Sequence, residues 1–218
     1  GSKPPITMKG TPHLPYIEHQ MRIPSAQVKT ALALAALQSK GGSIRGGGAS
    51  RDHSSRMLDQ MGCTLHFDNG DLSIEPSELN GTYIYVPADF SAAAFLIVGA
   101  LIIPESNILL KDVNLNPTRT GLLTILIQMG AKIKTINRKQ SNGEIRGDLV
   151  VEHSQLSGIE CLPECIPTLI DELPLLAVAG AFATGKTSVT GAKELRVKES
   201  DRIASICQGL QNLFHLTS

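Results

Sequence analysis

Apolar positions along the chain fall into runs of two kinds, and the two kinds alternate. Ile23 to Leu37 reads IPSAQVKTALALAAL, an apolar helix opened at Pro24-Ser25 by a small polar residue that suits a helix start. A Gly-rich turn and a short strand at Ser43–Arg45 follow, then an amphipathic helix from about Arg51 to Gly62. The segments Cys63–Phe67 and Asp71–Ile74 predict two strands, with Asp68-Asn69-Gly70 between them as a hairpin turn.

The same order returns from Tyr83. Tyr83–Val86 (YIYV) predicts a strand, Asp89–Ile102 a helix, Asn107–Val113 a strand and Asn116–Gly130 a second helix. Ala131–Asn137 and Asp148–His153 predict strands with a polar loop between them. A third copy starts near Asp171 with a helix to Ala183, a strand over Lys186–Ala192 and a helix from about Lys198. Ser25 and Ser91 open matching helices, and Met61-Gly62 and Met129-Gly130 close matching ones. Three βαβαββ-like units, about 70 residues apart, each carry an apolar face that needs a neighbour. The fold class expected is therefore α/β built from a repeat, with the third copy unfinished. Glu75–Gly81 is the expected hinge, dividing a first lobe (1–80) from a second (81–218).

Charge changes this picture little. The 218 residues hold 20 Lys and Arg against 20 Asp and Glu, which gives no reason to expect a broad nucleic-acid or membrane surface. Aromatic residues are scarce and Trp is absent, which argues against base-stacking platforms. Cys63, Cys161, Cys165 and Cys207 form no C-x-x-C pair and no zinc set, so reduced thiols in a cytoplasmic protein are expected. No apolar run reaches the length of a membrane span, and no signal peptide opens the chain. Gly1-Ser2 reads as an expression remnant.

Two stretches raise chemistry. Gly180–Thr187 (GAFATGKT) fits the phosphate-loop pattern, but that loop needs a strand before it and a helix after it. Here the order is reversed, and Gly185 is expected as a helix C-cap. In LRVKESDRI, Lys198 and Arg202 share a face if the helix starts by Lys198, and Glu199 stands three residues from Arg202. An ammonium beside a guanidinium suits a phosphate or carboxylate, and a neighbouring carboxylate is placed to move a proton. The plain alternative is a solvated helix face laced with weak ion pairs.

Resemblance decides between these. IDELPLLAVAGAFATGKTSVTGAKELRVKESDRI, PSAQVKTALALAAL with SRDHSSRML, and VPADFSAAAFLIVGALI with NPTRTGLL resemble the 5-enolpyruvylshikimate-3-phosphate (EPSP) synthase family, in family order from about Ile17 to Leu210. The resemblance implies repeated βαβαββ units of the enolpyruvyl transferase type, the inside-out α/β barrel, here as an incomplete two-lobe architecture. It implies transfer of the enolpyruvyl group of phosphoenolpyruvate to the 5-hydroxyl of shikimate 3-phosphate through a tetrahedral ketal, with phosphate released. No organic cofactor or obligatory metal is implied, and the partners are the two small-molecule substrates, with no nucleic acid or membrane. The full-length protein is expected to be monomeric; this chain is expected to self-associate through exposed repeat faces.

The resemblance also assigns residues. Asp171 holds the shikimate ring hydroxyls and is the candidate proton acceptor, with a helix N-cap as its plain role. Glu199 is the other acid/base on the phosphoenolpyruvate side, Lys198 a shikimate-phosphate ligand near the reacting hydroxyl, and Arg202 a phosphoenolpyruvate ligand. Ser25 and Gln27 match an S-x-Q motif for the shikimate phosphate, with Gln27 reaching both substrates. Ala26 stands where some relatives have a second serine, so only its backbone can serve. Ser50 and Arg51 match a further phosphate contact, while His53 occupies a position where relatives carry a substrate-lining tyrosine and is given no role. The sister enzyme acting on UDP-N-acetylglucosamine, and a catalytically silent homologous interaction module, are the alternatives.

Family motifs that supply a lysine-serine pair, a glycine loop for phosphoenolpyruvate and a later arginine and lysine do not occur in this sequence, so the chain reads as an internal fragment. Losing charged transition-state partners costs orders of magnitude in rate. The purified 218-residue chain is expected to convert phosphoenolpyruvate and shikimate 3-phosphate at a negligible rate, and robust phosphate release in that assay would contradict this.

Overall fold

A computed structural model of the chain describes residues 4–68, 70–197 and 200–214. The chain separates into two compact units, Gly1–Thr82 and Tyr83–Ser218.

In the first unit, β1 (Ile17–Gln20) leads through α1 (Ala26–Leu37) to β2 (Gly42–Arg45), which pairs parallel with β1. Next come α2 (His53–Gln60), β3 (Leu65–Asp68) and β4 (Asp71–Ile74), in a sheet ordered β1-β2-β4-β3. The apolar stripe of α1, Ala33, Ala36 and Leu37, packs with Ile44, Leu58, Leu72 and Ile74 into one core. The parallel β1–β2 pair requires a crossover, and α1 provides it. Asn69, at the centre of the predicted hairpin turn, lies outside the described residues.

The second unit repeats this topology. α3 (Phe90–Ile102) is followed by β5 (Asn107–Asn114), α4 (Gly121–Gln128), β6 (Lys132–Ser141) and β7 (Glu144–Glu152), in a sheet ordered β5-β7-β6. Ala88 bridges Val113 of β5 in parallel, standing where β1 stands in the first unit. The core runs from Phe90, Ile97 and Leu101 through Leu122, Leu126 and Leu149 to Leu169, Leu176 and Leu195. Met61 and Met129 are the cap residues of α2 and α4, each followed by a glycine with positive φ, as the matched Met-Gly pairs predict.

Several expectations are corrected here. Tyr83–Val86 forms no ladder: the side chain of Asn142 accepts from the Tyr85 N–H and donates to the Tyr83 carbonyl, taking the place of a neighbouring strand. The polar loop between β6 and β7 shrinks to Asn142-Gly143, whose φ values of 52° and 75° fit the tight hairpin turn with two left-handed residues. Both strands extend to meet it. α3 is capped by Asp89, whose carboxylate accepts from the Ser91 and Ala92 N–H groups, so Ser91 lies inside the helix it was expected to open. The expected helix from Asn116 starts only at Gly121, because the Asn116 side chain accepts from Thr118 (2.8 Å to N) and holds that segment in a turn.

The third copy begins before Asp171, with β8 (Glu160–Cys161) paired parallel to β9 (Ser188–Val189). Between them lie a 3-10 turn at Pro163–Cys165, α5 (Ile166–Leu169) and α6 (Leu173–Ala181). A second 3-10 turn (Lys193–Val197) leads to α7 (Arg202–Phe214). The last helix therefore starts four residues later than Lys198. Asp201 fixes that start: its carboxylate accepts from the Ala204 N–H at 3.0 Å.

One buried ion pair ties the second unit together. Arg119, just before α4, stands 3.9 Å from Glu172 at the head of α6 and 3.3 Å from Asp89, and donates to Ser91 at 2.5 Å. Ser91 in turn donates a short hydrogen bond to Glu172. The Arg119 and Glu172 side chains are only 15% and 3% exposed, so removing one leaves the other desolvated. Arg119→Met is therefore expected to cost roughly 3–5 kcal/mol in urea unfolding. The Arg119→Met/Glu172→Leu double variant should recover most of it, because both buried charges are then gone.

A second cluster is partly buried near the surface. Asp112 accepts from the Tyr85 hydroxyl and from Arg146, whose guanidinium lies 4.1 Å from the Tyr85 ring centre. The Tyr85 hydrogen bond first, and Arg146 second, hold the Asp112 carboxyl below the ordinary aspartate range. A depressed folded pKa contributes stability that is present above the ordinary aspartate value and lost as pH falls through the folded one. The urea midpoint is thus expected to fall on acidification below the ordinary aspartate value of 3.8. Asp112→Asn should make that fall shallower.

Candidate functional site

In the second unit, two neighbouring carboxylates diverge. Asp171 lies in the turn between α5 and α6, and the N-cap position of α6 belongs to Glu172. The expected capping role of Asp171 is therefore corrected: its carboxylate meets the Arg202 guanidinium at 3.4 Å, at the start of α7. Glu172 faces the other way, into the buried pair with Arg119 and Ser91. Asp171 and Arg202 keep about a third of their side chains exposed, 35% and 27%, so both remain accessible to a ligand.

The structure therefore brings together two of the four charged groups expected here. Lys198 and Glu199 lie outside the described residues. The shared helical face expected for Lys198 and Arg202 thus falls partly outside the described residues, and α7 begins at Arg202. Asp201 also binds Arg196 at 2.9 Å, and its carboxyl is lowered, first by the Ala204 N–H. Asp201 and the Arg119–Glu172 pair were missed from sequence. Their signals were an aspartate one residue before a helix, an arginine in an otherwise uncharged run, and a glutamate directly after Asp171 at the head of an apolar helix.

In the first unit, the expected phosphate residues stand at the heads of α1 and α2. Ser25 is the N-cap of α1, its hydroxyl accepting from the Val28 N–H at 3.4 Å, as the sequence predicts. Ala26, Gln27 and Arg51 line an open groove of about 470 Å³ together with Thr30, His53 and Ser54. Ser50 is 8% exposed, and its hydroxyl is buried with no hydrogen-bond partner among the described residues. A buried hydroxyl left unpaired costs free energy, which sets Ser50 apart from the other polar side chains of this turn. Helix starts present free N–H groups and the positive end of the helix dipole, so Ser25 and its neighbours suit an anion.

Two other sequence features are settled by context. Gly180 lies inside α6 and Thr187 leads directly into β9, so the phosphate-loop pattern lacks its helix. Gly185 is not the C-cap: α6 ends at Ala181 with Phe182 as cap. The Cys161 thiol is pushed up to about 11, chiefly by burial, and is a poor nucleophile. Among the described residues, no group of three or more His, Cys, Asp and Glu is placed to hold a metal ion, and no helix is long and apolar enough to cross a membrane.

Known proteins resemble this chain in sequence and fold. The chain is 47% identical over 215 residues to the 3-phosphoshikimate 1-carboxyvinyltransferase of Magnetococcus marinus, covering 98% of this chain and 48% of that protein. It is 50% identical over 184 residues to the enzyme of the same name from Carboxydothermus hydrogenoformans, covering 84% of this chain and 43% of that protein. The solved EPSP synthase of Acinetobacter baumannii superposes with a TM-score of 0.84 at 41% identity, over 91% of this chain and 45% of that one. The chain thus spans about half the length of the curated relatives it matches. Residues 1–214 match the family described as EPSP synthase (3-phosphoshikimate 1-carboxyvinyltransferase), and with the repeated βαβαββ fold this places the chain in that family.

Proposed function

We propose that this chain carries part of the active site of a 3-phosphoshikimate 1-carboxyvinyltransferase, which joins the enolpyruvyl group of phosphoenolpyruvate to the 5-hydroxyl of shikimate 3-phosphate. The observation that carries the reading is the meeting of Asp171 with Arg202 at the heads of two helices, in a chain of this family. The 5-oxygen attacks C2 of phosphoenolpyruvate while its proton passes to a base and C3 gains a proton from an acid, giving a tetrahedral ketal. The ketal then loses the C3 proton and phosphate, so one C–O bond forms and one breaks. Asp171 suits the base because its carboxylate is partly exposed at the head of α6, with the Arg202 guanidinium 3.4 Å away to hold it in place. Arg202 suits the carboxylate or phosphate of phosphoenolpyruvate through its planar fork of donors.

The remaining roles complete the proposal. Ser25, Ala26 (through its backbone), Gln27, Ser50 and Arg51 take shikimate 3-phosphate, and Gln27 also reaches phosphoenolpyruvate. Lys198 serves shikimate 3-phosphate, while Glu199 is the second acid/base. Residues 1–80 and 81–218 belong to the two lobes of such an enzyme, a cytoplasmic monomer at full length, with the exposed faces of this chain favouring self-association.

Calorimetry is expected to show shikimate 3-phosphate binding to the chain where UDP-N-acetylglucosamine does not. Asp171→Asn should weaken that binding roughly tenfold or more, the loss of a charged hydrogen bond. Preference for the nucleotide sugar, or no effect of Asp171→Asn, would count against the reading. A chimaera in which this chain replaces the stretch it matches in the Acinetobacter baumannii enzyme tests the chemistry. There Glu199→Gln should lower kcat by about 10²–10⁴ with folding intact.

A further inference from the structure

The group that neither the fold nor the assigned site accounts for is Lys29. It sits on the core face of α1 with Ala33, Ala36 and Leu37 and is 2% exposed. Burying an ammonium is costly unless it is compensated, and a methionine would fill the same space without that cost. What meets the charge is modest. Lys29 Nζ donates to the Ser50 carbonyl at 3.2 Å and lies 5.2 Å from the Phe67 ring centre. Asp52 attracts it at longer range, but that carboxylate is already held by Arg56 at 2.7 Å. Burial accordingly pulls the Lys29 pKa down, with Asp52 only partly opposing it.

The residue that Lys29 holds is the one with the orphaned hydroxyl. The Ser50 N–H donates to the Gly47 carbonyl at 3.1 Å and the Ser50 carbonyl accepts from Lys29, so both backbone groups are engaged and the buried Oγ alone is left. The turn before it passes close to its neighbour: a Cβ on Gly47 would stand 1.9 Å from the Gly70 carbonyl oxygen, so this glycine is required for the close pass. A buried cation and a buried unpaired hydroxyl thus converge on one residue, and its neighbour Arg51 lines the open groove, where a bound anion would feel the Lys29 charge from behind.

We propose that Lys29 is a positioning residue of the anion site: it locks the Ser50–Arg51 turn by its hydrogen bond and lends its buried charge to a bound phosphate group. This rests on the assignment of Ser50 and Arg51 to the phosphate of shikimate 3-phosphate, and adds a residue that resemblance does not supply. In a low-dielectric setting, a charge a few ångströms behind the ligand acts without touching it, because little water screens it.

The test compares the 218-residue chain with its Lys29→Met variant, using shikimate 3-phosphate, inorganic phosphate and unphosphorylated shikimate as probes in calorimetry, with thermal melting beside them. Lys29→Met is expected to keep or raise Tm while weakening shikimate 3-phosphate and phosphate roughly tenfold or more. Shikimate itself should be affected far less. A residue serving only the fold would lower Tm and leave the phosphate preference unchanged, and that result overturns the proposal. As a second reading on the unmodified chain, the side-chain Cε signal of Lys29 in lysine-labelled protein should move on saturation with inorganic phosphate; a static signal at saturation also overturns it. If the unmodified chain binds neither phosphate probe, the assignment of Ser50 and Arg51 falls and this inference falls with it. If the chain binds both probes and Lys29→Met binds them equally, only the role of Lys29 fails.

Discussion

The constraint that the rest of the structure depends on is the need to bury the first helix of each repeat. α3 carries apolar side chains around most of its circumference, with Phe90, Ala94, Ile97 and Leu101 each essentially inaccessible to water, and α6 is nearly as apolar. Such a helix has little polar face to offer solvent, so it seeks cover on several sides, and in this chain only Phe95 and Leu96 among its large side chains stay more than half exposed. The crossover between two parallel strands supplies one cover, as α1 between β1 and β2 and α6 between β8 and β9 show. In the second unit α3 and α6 supply another by lying against each other, with Ser91 of one bonded to Glu172 at the head of the other. A helix that returns from one strand to a parallel partner starts where the first strand ends. The polar groups of each repeat therefore collect at helix starts, and the chemistry collects with them.

That constraint explains which features could be read from sequence. Elements driven by burial were legible: the order βαβαββ, the extent of α1 and α3 to within a few residues, and the Met-Gly helix ends follow from periodicity and turn chemistry alone. Elements governed by a single polar side chain were not. Tyr83–Val86 has the composition of a strand, yet one asparagine from a distant hairpin satisfies its backbone. Asp89, two residues ahead of Ser91, takes the cap because a carboxylate there reaches two N–H groups. Asp201 does the same for α7 and moves its start past Lys198. Hydrophobic pattern carries no information about such choices, since each involves one hydrogen bond among several sterically allowed ones.

The site divides in the same way. Residues at helix starts were assigned through the family resemblance, and the structure sets Asp171 against Arg202. The buried charges behind them were not found. Lys29 interrupts an apolar run, and Arg119 and Glu172 lie far apart in sequence. A lone charge in such a run looks from sequence like a residue on the solvent edge. Only the fold shows that it faces inward and toward which partner.

The placement of these charges fits one physical scheme. A carboxylate that moves protons must stay hydrated enough to ionise yet fixed enough to aim, and those demands conflict in a single exposed turn. Adjacent acids resolve the conflict by dividing it. Glu172 is sunk against Arg119 and Ser91, where its desolvation is offset by the guanidinium and the hydroxyl, and it anchors the head of α6 to α3. With that backbone anchored, Asp171 one residue earlier can remain at the surface facing Arg202 without the turn drifting. The Ser50 turn follows the same logic with the opposite charge: Lys29 is sunk behind it and fixes the carbonyl, while Arg51 lines the open groove. In each unit a buried ion is bonded to the turn that carries an exposed one, so the cost of desolvation falls on the residue that faces inward.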